Sequence, residues 1–282
     1  MSWKITLLRA GAFKLDAGCM FGLIPRVVWT RWLEPDEHNR TTLQQNCLLL
    51  ESDARKVIVE VGIGDKFGEK ERAMYAMDDR AIHDALREVG CDPADINAVI
   101  VSHLHFDHAG GLTRRGDNGK PILTFPNAEI IVQRQEWEDA IANKSTMHKT
   151  YLRDHLTDEV CEHLRLIDGE DVVLPDISVL PMPGHTWGQQ GVRIRDAGGR
   201  TVIFVPDVMP TRHHCRATAN LSYDVEPYTS MLSRTKLLER AADEEWVLVL
   251  DHEPGHPAFT VHPDPDKPGS YTLEETALEA ST

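Results

Sequence analysis

Short apolar runs, each closed by turn residues, recur along the 282-residue chain. Trp3–Leu8, Gln45–Leu50, Val57–Val61, Ala98–Ser102, Glu129–Val132, Ser178–Leu180, Gly191–Arg195, Val202–Val205 and Trp246–Asp251 are rich in valine, isoleucine and leucine. Bounded by Gly, Pro, Asp or Asn, they are predicted strands. Apolar residues at helical spacing predict helices over Ala81–Val89, Arg134–Ala142 and Thr229–Ala242, the last opening after a proline. The mixture reads as α/β or α+β, with more strands than a doubly wound sheet carries. Past Pro254, the prolines at 257, 263, 265 and 268 predict an irregular tail from about residue 255 that wraps the surface of a single domain, 1–282.

Composition narrows the class. With 41% hydrophobic and 27% charged residues, the chain has an ordinary globular balance, which excludes collagen-like and disordered proteins. No apolar run approaches the ~18 residues of a membrane span. The N-terminus lacks an apolar signal core. Its five cysteines (Cys19, Cys47, Cys91, Cys161, Cys215) are scattered and odd in number, which suits a reducing, cytoplasmic setting. A net charge of −15 repels phosphate backbones and anionic lipid, so neither nucleic acid nor membrane is an expected partner.

Candidate chemistry is concentrated after the strand Ala98–Ser102. Four potential ligands, His103, His105, Asp107 and His108, fall within six residues. Alternate residues at a strand end point to one side, so His103 and His105 can grip one ion while Asp107 and His108 turn to another. Imidazole and carboxylate suit zinc, iron and manganese. Gly110 and Gly111 follow and permit close backbone approach. A single histidine at a strand end is usually structural; four ligands at this spacing reverse that expectation.

The His-x-His-x-Asp-His pattern of residues 103–108 resembles the signature of metallo-β-lactamase-fold hydrolases. The resemblance implies three further ligands, and each has a match in order. Pro183-Gly184-His185-Thr186 supplies His185, Val205-Pro206-Asp207 ends a strand with a bridging carboxylate, and Leu250-Asp251-His252 supplies a last histidine. The family pattern then implies His103, His105 and His185 on one metal, Asp107, His108 and His252 on a second, and Asp207 shared. It also implies an αββα sandwich, with two divalent ions as cofactor: zinc first, with iron, manganese or cobalt compatible.

Further segments resemble the YtnP-like and N-acyl-homoserine lactonase-like branch. They include the stretches at 18–25, 35–40, 62–66, 124–128 and 223–227. The implied reaction is ring opening of a cyclic ester by a metal-activated hydroxide, with Asp207 or Asp107 carrying the proton to the leaving alkoxide. A small-molecule ester or lactone is therefore the expected partner. Phe21, Trp29, Trp32, Trp187 and Met209 are candidates for an acyl-chain pocket, and exposure of the segment 21–32 would mark a homodimer interface.

Three departures bear on the substrate. Glu60 stands where the branch carries a supporting Asp, one methylene shorter. Pro210 occupies the position at which well-known lactonases place a Tyr that supports the substrate carbonyl; Tyr223 or His214 could supply that contact instead. Glu253 replaces the commoner Asp after the last histidine. Rival readings are a same-fold hydrolase of aryl esters, phosphotriesters, thioesters or β-lactams, and a non-catalytic protein that retains metal.

Overall fold

A computed structural model describes residues 3–278. Strands β1 (Lys4–Asp16), β2 (Arg40–Glu51), β3 (Lys56–Val59) and β4 (Ala98–Ile100) come first. A small ribbon, β5 (Thr113–Arg115) and β6 (Pro121–Leu123), follows. With β7 (Glu129–Gln133) and β8 (Leu164–Ile167) the first sheet has the order β1-β2-β3-β4-β7-β8. The second sheet holds β9 (Asp171–Leu174), β10 (Ile177–Pro181), β11 (Gln190–Arg195), β12 (Thr201–Val205), β13 (Val247–Leu250), β14 (Ala258–Pro263) and β15 (Tyr271–Glu275). These lie in reverse order from β15 to β9, and only β12 and β13 are parallel.

The central strands β3, β4, β12 and β13 read as continuous apolar runs because both of their faces are covered. Successive side chains point to opposite faces. Leu48, Leu50, Val57 and Val59 of the first sheet therefore meet Val202, Phe204, Val247 and Val249 of the second in one core. Between them, Leu49 and Ile58 face Ile82, Ala85 and Leu86 of the helix Ile82–Glu88. Ile203, Leu248 and Leu250 face Leu237, Leu238 and Ala241 of the helix Pro227–Asp243. The result is four layers, helix–sheet–sheet–helix, and the fold is the αββα sandwich of the metallo-β-lactamase type.

Two expectations change. The region after residue 255 is not irregular: β14 pairs antiparallel with β13, and β15 with β14. Its prolines occupy positions a strand tolerates. Pro257 precedes β14, Pro263 ends it, and Pro265 and Pro268 lie in the connecting turn. Phe259 and Val261 remain free to pair and are buried. The first strand also runs past Leu8 to Asp16, through a register shift between Arg9 and Ala12 where Gly11 has φ +119°. That bulge carries the strand on past the point where the apolar run ends.

In the segment 21–32, Phe21 and Trp29 turn inward, while Leu23 and Val27 are exposed. No described helix is long and apolar enough to cross a membrane.

Candidate metal centre

The parallel pairs β3/β4 and β12/β13 send their C-terminal ends to one rim of the sandwich. Glu60 follows β3, the His103–His108 segment follows β4, Asp207 follows β12, and Asp251 and His252 follow β13. His185 arrives from the loop between β10 and β11. Close packing fixes the loop after β4: a Cβ on Gly110 or Gly111 would lie 2.2 Å from the Ile63 carbonyl oxygen or 2.1 Å from that of Val61.

Seven expected ligands converge there, all buried. His103 Nε2 and His185 Nε2 lie 3.2 and 3.0 Å from His105 Nδ1, and ligand atoms of these three residues form one compact group. His108, Asp207, Asp251 and His252 form a second. Asp207 stands between the groups: Oδ2 is 3.0 Å from His185 Nε2 and 4.0 Å from His103 Nε2, and Oδ1 is 3.3 Å from His252 Nε2. Asp107 faces the second group, 3.6 Å from His252 Nε2 and 3.8 Å from His108 Nε2.

In four of the five histidines the other ring nitrogen is held from behind, which orients the imidazole. His185 Nδ1 meets Asp224 Oδ1 at 3.0 Å, and His252 Nδ1 meets the Gln44 carbonyl at 2.9 Å. His103 Nδ1 meets Ser102 Oγ at 3.0 Å, and His108 Nδ1 meets Glu60 Oε2 at 2.9 Å. Glu60 also accepts from the Ser102 amide, so its longer side chain reaches both β4 and the histidine. It does so from φ +65°, a backbone conformation costly for a residue with a Cβ. Glu136 is a further brace. It accepts from the Leu104 amide at 2.9 Å and from Thr186 Oγ1 at 2.6 Å, tying the two histidine-bearing loops together.

The electrostatics suit cations. Burial and neighbouring imidazoles hold His103 and His105 well below the usual histidine range, so both present neutral rings. Burial works against charge on His108, yet Asp107 and Glu60 outweigh it and raise its pKa. Asp207 resists burial through His185 and His252 and stays ionised. Its Oδ1 and both oxygens of Asp251 lack a hydrogen-bond donor, as does His105 Nε2 a partner. Buried carboxylate oxygens and imidazole nitrogens left unsatisfied in one cluster are what divalent ions require, and the donor set fits two of them.

Over this cluster opens a cavity of about 310 Å³. Leu15, Met20, Leu43, Phe106, Leu221 and Tyr223 line it beside Asp107 and Asp207. The cations on its rim are already engaged: Lys14 Nζ and Arg40 Nε reach Asp36 Oδ2 at 3.1 and 3.0 Å. Tyr223, one of the two candidates for the carbonyl contact, is on the cavity wall. His214 does not line this cavity, because both its nitrogens are taken, by Thr211 Oγ1 and the Met20 carbonyl, each at 2.8 Å. None of Phe21, Trp29, Trp32, Trp187 and Met209 lines it either. Phe21, Trp29 and Met209 are core residues, Trp32 stacks on His213, and Trp187 packs under Lys144.

Asp224, Asp251, Glu136 and the Gln44 carbonyl had not been assigned roles from sequence. Asp224 lay within a recognised segment and Asp251 beside an expected ligand, signals that adjacency alone could have raised. A main-chain carbonyl leaves none.

Comparison with known proteins agrees with this geometry. The Metallo-beta-lactamase superfamily profile matches residues 40–252, and the chain belongs to that superfamily. It is 28% identical over 218 residues to N-acyl homoserine lactonase AiiA of Bacillus thuringiensis subsp. kurstaki, covering 73% of this chain and 80% of that one. The structure of a probable metal-dependent hydrolase from Staphylococcus aureus superposes with TM-score 0.86 at 27% identity, over 98% of this chain and 99% of the other. An N-acyl homoserine lactone hydrolase, solved with its product N-hexanoyl-L-homoserine at the catalytic metal centre, gives 0.71 at 25% identity, over 90% and 95%. The chain is a metal-dependent hydrolase.

Proposed function

We propose that this hydrolase holds two divalent ions, zinc first among them, and opens N-acyl-homoserine lactone-like cyclic esters. The observation that carries the reading is Asp207, placed between two histidine groups under an apolar cavity whose rim cations are already paired. Such a cavity admits a neutral ester with an alkyl tail better than an anionic substrate. Relatives named for lactone hydrolysis point the same way.

His103, His105 and His185 would hold one ion and Asp107, His108 and His252 the other, with Asp207 placed to serve both. Two divalent ions bound there would supply water activation near neutral pH and Lewis acidity toward the carbonyl. Asp107, on the cavity wall, passes the proton to the departing ring oxygen, with Asp207 as the alternative carrier. The Tyr223 hydroxyl donates to the substrate carbonyl. Burial and a hydrogen bond with Cys19 push its pKa far above the usual tyrosine range, so it stays protonated and donates to the carbonyl by turning from Cys19.

The test compares hexanoyl-homoserine lactone with an aryl acetate, a phosphotriester, a thioester and a β-lactam on the metal-loaded protein. A higher kcat/KM for the lactone supports the reading. Preference for another substrate assigns the site to that class, and no turnover of any leaves a protein that only retains metal.

A further inference from the structure

Asp251 is a carboxylate that the family ligand pattern does not include. It follows β13, is 2% exposed, and neither oxygen of its side chain has a hydrogen-bond donor. Its Oδ2 lies 4.0 Å from His108 Nδ1, the nitrogen that Glu60 already engages at 2.9 Å. A side-chain oxygen of Asp251 also sits within 4.8 Å of ligand atoms of His108, Asp207 and His252. The position is fixed from both sides. The Asp251 amide donates to the Val205 carbonyl, and the Asp251 carbonyl accepts from the Asn46 amide.

An isolated carboxylate in such surroundings is strongly unfavourable. Among the described residues its one ion-pair partner is His108, and no lysine or arginine reaches it. Burial and its acidic neighbours Asp207 and Glu60 push its pKa well above the usual carboxylate range, so a nearby cation is what lets it carry charge. The cluster is therefore over-supplied with negative charge, and the missing compensation is positive and local. The carboxylates of Glu60, Asp107, Asp207 and Asp251 together balance two divalent cations.

We propose that Asp251 is a positioning residue for the second ion: its charge, fixed behind His108, retains the metal held by Asp107, His108 and His252. This rests on the two-ion reading of the site and not on the identity of the substrate. A residue kept for packing would stabilise the chain with or without metal. A residue kept for the ion stabilises only the loaded state and burdens the empty one.

Asp251→Asn separates the two, because it preserves shape and removes charge. Wild type and variant are stripped with a chelator, reloaded with zinc at one fixed pH, and compared by metal count, rate of zinc loss to a competing chelator, and Tm in both states. The variant should lose one of its two ions at least tenfold faster and show a smaller metal-induced rise in Tm. Its metal-free Tm should be equal to or above that of wild type. Equal retention of both ions, or a Tm lowered equally in both states, overturns the proposal. So does failure of both Asp251→Asn and Asp251→Ser to fold without metal, since the empty chain should tolerate losing the charge. A wild type that holds fewer than two ions overturns the proposal and the two-ion reading together; two ions retained equally by variant and wild type overturn the proposal alone.

Discussion

Glu60 occupies a left-handed backbone position with its carboxylate spread between the Ser102 amide and His108. Its extra methylene relative to Asp is what lets one side chain meet both partners. Glu60→Ala should weaken binding of the second ion by roughly 10- to 100-fold, read as metal retained after dialysis, while the first ion stays. Tyr223→Phe removes the proposed carbonyl donor. Its kcat should fall by about 10²-fold with little change in metal content; an unchanged kcat would place the donor elsewhere. The residues legible in the sequence were those whose spacing is local, such as His103, His105, Asp107 and His108. His185, Asp207 and His252 followed only because a family resemblance said where to look. Asp224 reaches His185 from a distant segment, which spacing cannot show, whereas Asp251 directly precedes His252 and was passed over. His214 was a candidate for the substrate contact, whereas its nitrogens meet Thr211 Oγ1 and the Met20 carbonyl.

At the level of elements, the strands that were easiest to read are those covered on both faces, as in Leu48–Leu50 and Val247–Leu250. The C-terminal hairpin was hidden by its prolines, although they sit only at strand ends and in the turn. Phe259 tests that correction. It is 1% exposed in β14, against the helix Pro227–Asp243, with Arg212 stacked on its ring. Phe259→Ala should cost about 3–5 kcal/mol in urea unfolding; a change near zero would return the segment to a surface tail. The aromatic segment 21–32 looked like a pocket wall because it is apolar, yet Phe21 and Trp29 pack inward and the cavity is walled by their neighbour Met20.

Across the whole molecule, the two sheets bring their ligand-bearing ends to one rim, and burial there keeps several histidines neutral. His155 and His214 are among those outside the ligand set. Burial holds His155 down to about 3 and His214 to about 4, against an unfolded value near 6.5. Between those values the unfolded chain binds the protons and the folded chain does not. Stability should therefore fall as pH drops from about 6.5 toward 4, at roughly 1.4 kcal/mol per pH unit for each group. A urea series with metal-loaded protein over that range measures it, and His214→Gln should flatten the slope. Stability independent of pH there would mean that these rings are charged in the fold.

The central claim is that Asp207 joins two metal sites into one hydrolytic centre. The direct measurement is metal content and lactone turnover on the same preparations of wild type and Asp207→Ala. The account predicts about two ions per chain and lactone opening in the wild type. It predicts fewer ions in the variant, with turnover reduced by several orders of magnitude. Two ions and undiminished turnover in Asp207→Ala, or a wild type that turns over without metal, would contradict it.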